Sequence, residues 1–448
     1  MRNRQRLSLV SLVLATLVVA SAAYAQTPTS QRPYRGLFRS GADEPAQSLN
    51  VEGSIGGGWD SSMVAEFGPN DIPNDGLRLR GAGYNSLSGR IGYDNTRDRV
   101  TLGISHATDA RYYPSLADPI LASHSTRVTV NYKVTRRTTL SLDQSVSYQP
   151  FGSLNLFPNA QRSGFQQADV IIPAATAPDL DTRAVNVDYT SFNTVAGASQ
   201  QLSARGSFSA SYGYALSRYG GDRADFTSHS AFGRYTYSLT QNLGLRLGYG
   251  YSEGRFADGD QQFHNHTIDS GFDYNRVLSI SRRTTLGFDS GAAVVKRGAE
   301  TRYDVIGGAQ VIHEVGRSWL AGGAYRRNVQ FIETLNQPFF TDAITVVVQG
   351  LPARRIEVNT SAGVAKGNLD FTAEEDRLTS YFGSATIGVA ISRHLNVSTA
   401  YNYYRYSARG DAYRDLGFSD GLNRHSISVY LSAWAPLYQK GRRTNASR

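Results

Sequence analysis

The stretch Leu243-Gly244-Leu245-Arg246-Leu247-Gly248-Tyr249-Gly250-Tyr251 alternates without a break. Every odd position is apolar or aromatic and every even one is Gly or Arg. A period of two places successive side chains on opposite faces of an extended strand. The same alternation recurs where Leu140, Leu142, Val146 and Tyr148 oppose Ser141, Asp143, Ser145 and Ser147. It recurs again where Leu395, Val397, Tyr401 and Tyr403 oppose Asn396, Ser398, Ala400 and Asn402. A soluble sandwich alternates too, but its polar face is rich in Lys and Glu. Here that face carries Ser, Thr, Gly, Asn and scattered charge, the composition of a wet and crowded lumen.

A repeat organises these strands. Short basic turns stand at Thr96-Arg97-Asp98-Arg99, Thr135-Arg136-Arg137, Ser203-Ala204-Arg205, Ser281-Arg282-Arg283, Gly316-Arg317-Ser318, Ala353-Arg354-Arg355 and Ser392-Arg393-His394, with Thr240-Gln241-Asn242 as an uncharged eighth. From Arg97, the steps to Arg136, Arg205, Gln241, Arg282, Arg317, Arg354 and Arg393 are 39, 69, 36, 41, 35, 37 and 39 residues. A unit of this length holds two long strands, one tight turn and one longer loop, and the single long step holds one oversized loop. Propeller blades have a similar period, but they need four short strands each and motifs that are absent here. Eight turns join strands two through seventeen, and one further strand lies at each end, so the pattern predicts an all-β, transmembrane, antiparallel up-and-down β-barrel of 18 strands. Residues 184–202 and 342–350 alternate least clearly, and loss of one hairpin would leave 16. An even count puts both chain ends on one side.

Residues 1–25 read as a secretory signal peptide: a basic start at Arg2, Arg4 and Arg6, an apolar run from Leu7 to Ala20, and Ala23-Tyr24-Ala25 before Gln26. The run is too short for a spanning helix, which needs about 20 apolar residues. Residues 26–47, with three Pro and no periodicity, are expected to be an extended periplasmic leader; Arg32-Pro33-Tyr34-Arg35 offers a docking motif, although a plain tail explains it as well. Residues 48–438 form the expected barrel, and 439–448 a basic tail. With 46 Lys+Arg against 37 Asp+Glu the chain carries +9, or +6 once Arg2, Arg4 and Arg6 are removed. That dispersed charge argues against nucleic-acid binding. The absence of cysteine excludes disulfides, thiolate metal sites, a cysteine nucleophile and an N-terminal lipobox.

The residues closest to function are the inward charges. Arg90, Arg127, Lys133, Asp143, Arg234, Arg246 and Asp289 are expected to line the lumen, with Arg234 diagonal to Arg246 across the Thr240 turn and Lys133 diagonal to Asp143. Such charges bias solute passage, and equally they brace a wall. Residues 152–181 form the expected third surface loop, in which Phe157, Phe165, Val170, Ile171 and Ile172 are too apolar for open water. Folding into the mouth as a constriction accounts for them, and packing on a partner is the alternative. No catalytic set emerges. The eight His are scattered, His264 and His266 share a face without a third ligand, and Asp269 and Asp273 are about 13 Å apart in a strand, too far for paired carboxylate chemistry. No cofactor or metal is expected. Tyr93, Tyr132 and Tyr237 near the short turns, and Tyr148, Tyr214, Tyr251 and Tyr403 about ten residues up, suit two interfacial rings.

On these features the chain resembles Gram-negative outer-membrane β-barrel proteins over essentially all of residues 48–438. Within them it looks most like the porin-like barrels often associated with exopolysaccharide loci. The resemblance implies residence in the outer membrane with periplasmic termini, contact with outer-membrane lipid and lipopolysaccharide, delivery by the barrel-assembly machinery, and periplasmic export components as further partners. It also implies a channel for polar solutes, with saccharide or secreted exopolysaccharide as cargo. Two other classes stay open, a non-conducting structural or adhesive barrel and an outer-membrane hydrolase. Such barrels commonly end in an aromatic residue, whereas here a basic tail follows Trp434 and Tyr438, either of which would have to act as an internal signal.

Overall fold

The computed structural model describes residues 45–63, 80–114, 120–150, 188–220, 224–240, 243–257, 262–278, 281–297, 300–316, 318–332, 337–368, 377–409 and 421–442. They form β1 (Pro45–Met63), β2 (Arg80–Thr96), β3 (Val100–Tyr112), β4 (Ile120–Lys133), β5 (Thr138–Gln149), β6 (Tyr189–Gln201), β7 (Gly206–Tyr219), β8 (Phe226–Ser238) and β9 (Leu243–Phe256). There follow β10 (Gln262–Leu278), β11 (Ser281–Arg297), β12 (Glu300–Val315), β13 (Trp319–Ile332), β14 (Gln337–Ala353), β15 (Ile356–Asn368), β16 (Arg377–Ala390), β17 (Leu395–Arg409) and β18 (Gly421–Arg442). Each strand pairs antiparallel with its neighbours in sequence, and β1 pairs with β18, so the 18-stranded sheet closes on itself. The chain is an all-β, antiparallel barrel closed by 18 strands, and the 16-stranded alternative falls away. Of the two unclear strands, β6 starts later than expected, at Tyr189, while β14 is longer, running from Gln337 to Ala353.

The turns show why the repeat exists. In four of them a Ser or Thr hydroxyl at the first position accepts backbone N–H bonds from the residues that close the loop. Thr135 Oγ1 accepts from Arg137 N at 3.1 Å and Thr138 N at 3.0 Å. Ser203 Oγ accepts from Gly206 N at 2.9 Å, Thr240 Oγ1 from Leu243 N at 3.1 Å and Ser392 Oγ from His394 N at 3.2 Å. A short hydroxyl that satisfies the turn amides is the chemistry of an ST-turn. In three of these turns the Arg that comes after the hydroxyl, Arg136, Arg205 or Arg393, stands exposed in solvent.

The closing seam is longer than expected. Pro45 pairs with Arg442 and Ser48 with Gln439, so β18 takes in the start of the basic tail. Register shifts occur at Leu49/Asn50, opposite Pro436, and at Gly350/Ala353, around Pro352. Proline has no N–H to give the ladder, which confines it to such irregular positions. Gly56 and Gly58 permit close approach on the same seam. A Cβ at Gly56 would lie 2.3 Å from the Val429 carbonyl oxygen, and one at Gly58 would lie 2.6 Å from that of Ile427.

Faces follow the alternation. Ile55, Leu87, Leu245, Leu247, Tyr249, Ile344, Val346, Ile387 and Val429 are exposed on the outer surface, while Asn50, Ser86, Arg246, Asn396 and Ser428 are buried on the inner one. A hydrophobic belt that encircles the molecule is unstable in water. Strands of 12 to 22 residues exceed the 9 to 11 that a tilted strand needs to cross a bilayer.

Candidate functional site: the inner wall of the barrel

At about 4.8 Å between strands and a tilt near 40°, 18 strands close into a cylinder roughly 35 Å across. What lines it is small and hydroxylic along much of the wall. Ser54 and Ser88 hydroxyls lie 2.6 Å apart, Ser147 and Ser191 2.8 Å, and Ser361 and Ser384 2.7 Å. Each pair is directly opposed across neighbouring strands. Short side chains keep the described wall shallow, and their hydroxyls can donate to and accept from a polar solute.

Charged groups stand among them. Arg127 forks onto Asp143, Nε to Oδ2 at 2.9 Å and Nη2 to Oδ2 at 2.6 Å. The expected Lys133 to Asp143 diagonal is not formed: the four-residue turn pairs Lys133 with Thr139, which leaves Asp143 opposite Thr129 and within reach of Arg127. Arg90 lies opposite Glu52, and both border a recess of about 300 Å3 with Ser88, Asp109, Ser125 and Gln149. Arg234 and Arg246 are diagonal as expected, since Arg246 opposes Thr236 and Arg234 opposes Gly248. Arg234 stacks over Phe232 at 4.9 Å, and Arg246 is buried and donates from Nη2 to the Ser290 carbonyl oxygen at 3.2 Å. Asp289 opposes Gly308 in the ladder, but its side chain lies outside the described residues, as do those of Asp269 and Asp273. Phe157, Phe165, Ile171 and Ile172 also lie outside them.

Three features of the wall were not anticipated. The first is the Arg424 to Asp60 pair on the β1 to β18 seam, in which Arg424 Nε reaches Oδ1 at 2.8 Å and Oδ2 at 3.0 Å with both side chains 2% exposed. The second is an inward aromatic cluster of Tyr189, Tyr219, Phe226 and Phe256 where β6 to β9 approach the end opposite the Ser/Thr turns. Tyr404 and Tyr406 are also buried on the inner face, at the same end. The third is outside. His229, His266 and His425 oppose Tyr214, Tyr251 and Tyr403, and their Nδ1 atoms share hydrogen bonds with the diagonal Tyr212, Tyr249 and Tyr401 hydroxyls at 2.7, 2.7 and 2.8 Å. A Tyr-x-Tyr on one strand and a His on the next thus repeat three times, and His264 adds a fourth contact with Tyr251 at 2.7 Å. These histidines belong to the girdle, where an amphipathic ring needs a polar partner at the edge of lipid.

No family model and no curated protein matches the sequence. Among solved structures the chain is similar to Pseudomonas aeruginosa OpdQ, with 10% identity and TM-score 0.44 over 88% of this chain and 98% of that one. It is similar to P. aeruginosa OccK2 in complex with glucuronate, with 9% identity and TM-score 0.45 over 89% and 100%. It is also similar to Acinetobacter baumannii OccAB4, with 11% identity and TM-score 0.44 over 87% and 98%.

Proposed function

We propose that this barrel is an outer-membrane channel through which polar solutes pass along the serine and arginine lined inner wall. One observation carries the reading: the closed sheet has an apolar outer belt and a hydroxylic, charged interior. A wall of that kind is unstable in water and needless in lipid unless its bore holds water. Saccharides are the proposed cargo. Aromatic faces at the mouth, such as Tyr189 and Phe226, suit the apolar faces of a sugar ring, while the Arg127 and Asp143 fork and the serine pairs suit its hydroxyls. Secreted exopolysaccharide extends that proposal on the strength of the family resemblance. Swelling of protein-loaded liposomes in sugars of increasing size tests it. Entry of small sugars with a size cut-off is the expected result, and no entry in vesicles holding folded protein counts against it.

Residues 152–181 act in this reading as the constriction. Deletion of residues 158–176 is expected to raise conductance and admit larger sugars, because shortening a loop changes its closure cost by less than about 1 kcal/mol. Unchanged conductance in a folded deletion variant would transfer Phe165, Ile171 and Ile172 to partner binding. The short Ser/Thr turns are proposed to face the periplasm, and the termini with them. On intact cells a membrane-impermeant thiol reagent is expected to label Asp415→Cys and to miss Arg393→Cys; the reverse pattern inverts the topology.

A further inference from the structure

The outer surface of β15 to β17 carries an unusual run of cations. On β17 the outward residues above the girdle are Arg405, Ser407 and Arg409, on β16 they are Arg377 and Thr379, and Lys366 stands on β15. All four cations are exposed. Arg377 and Arg409 are direct partners in the ladder, Lys366 opposes Thr379, and Arg405 opposes Tyr381 on one side and Asn423 on the other. Like charges placed directly opposite on a sheet are destabilising, and here no described carboxylate relieves them.

Elsewhere on the same rim the outward arginines do have acids. Arg255 is bonded to Glu253, Arg218 lies 3.9 Å from Asp225, and Arg327 is 2.7 Å from Asp304 with Asp342 at 3.8 Å. Among the described residues Asp342 is the nearest acid to the patch, as the ladder partner of Lys366, and it is already held by Arg327 and by the Tyr325 hydroxyl at 2.6 Å. Among the described residues the wall therefore presents three guanidiniums with no acid bonded to them, and an ammonium whose ladder partner Asp342 is shared with Arg327.

Height selects the anion. At about 3.4 Å per residue and a tilt near 40°, Tyr403 stands roughly 20 Å, Arg405 roughly 26 Å and Arg409 roughly 36 Å above Leu395, against an apolar band about 25 Å tall. Tyr381, Tyr401 and Tyr403, with His425 beside them, form the upper aromatic edge, and the cations begin where the hydrocarbon ends. We propose that Arg377, Arg405 and Arg409, flanked by Lys366, bind the phosphate groups of outer-leaflet lipopolysaccharide. The proposal rests on the outer-membrane reading above, although not on conduction. Guanidinium forks suit phosphate oxygens, two per group, and Tyr381 and Tyr403 would lie against the upper acyl chains.

The test uses full-length protein in detergent micelles and fluorescent diphosphoryl lipid A. At roughly 1 kcal/mol per basic residue beside an anionic surface, the triple substitution Arg377→Gln, Arg405→Gln and Arg409→Gln is expected to weaken binding on the order of 100-fold. Arg255→Gln, on a paired arginine of the same rim, is expected to bind as wild type, and so is a triple Arg→Lys variant to within about tenfold. Inorganic phosphate is the competing probe, and it should fail to displace the lipid. Displacement by phosphate at the lipid's own affinity would assign the patch to free phosphate. Wild-type affinity in a triple Gln variant that keeps its heat-modifiable mobility would overturn the site. Membrane fractionation is scored separately, so loss of lipid binding by a barrel found in the outer membrane counts against the site alone.

Discussion

Asp60→Ala is expected to cost about 3 to 5 kcal/mol, because it removes the carboxylate that the buried Arg424 guanidinium forks onto. The two residues are 364 apart in sequence and join the first strand to the last, so their pair acts at the point where the sheet closes. Coulomb attraction in a partly dry wall offsets the desolvation of both ions only while both are present. Removal of both at once is accordingly the milder change. A double variant, Asp60→Ala with Arg424→Met, is expected to recover most of the loss. Urea unfolding in lipid vesicles, followed by tryptophan emission and gel mobility, measures both. Equal losses in the single and double variants would show that the pair does not act as a unit.

The second large effect separates the faces of the wall. Leu247→Arg places a charge near the middle of the apolar belt, where it is expected to cost about 2 to 4 kcal/mol. Leu247 is 59% exposed on that surface, with Tyr249 above it and Leu245 below. Gly92→Arg adds the same group on the inner face, where Gly92 opposes the buried Asn50 and an added Cβ meets nothing within 4 Å. That substitution is expected to cost under about 1 kcal/mol, since the guanidinium remains in water. Matching losses in the two variants would invalidate the assignment of faces.

Most of the wall was legible from sequence because a period of two is written twice over, in apolar residues on the outer face and polar ones on the inner face. Leu243 to Tyr251 could adopt no other arrangement without turning leucine into the lumen. The hairpin repeat was legible because a Ser or Thr hydroxyl and an Arg are what a tight wet turn asks for, as at Thr135 and Ser203. Register within a hairpin was less secure. Arg234 and Arg246 were placed correctly because the Thr240 turn was counted with its closing residues, Leu239 and Leu243. Lys133 was set against Asp143 although the turn at Thr135 pairs it with Thr139. Asp60 and Arg424 were out of reach, since only closure of the sheet brings them together. The histidines looked scattered in sequence, yet His229, His266 and His425 each share the outward parity of a Tyr-x-Tyr one strand away, and a search by parity would have found them.

Current through single molecules in a planar bilayer tests the central claim most directly. Purified full-length protein, refolded to its heat-modifiable form, is expected to insert in discrete steps of constant size, each proportional to salt concentration. Arg127→Glu is expected to shift the reversal potential toward cation preference without abolishing the steps, because it inverts a fixed charge on the inner wall. A folded barrel that inserts and stays electrically silent at every salt concentration would contradict the account.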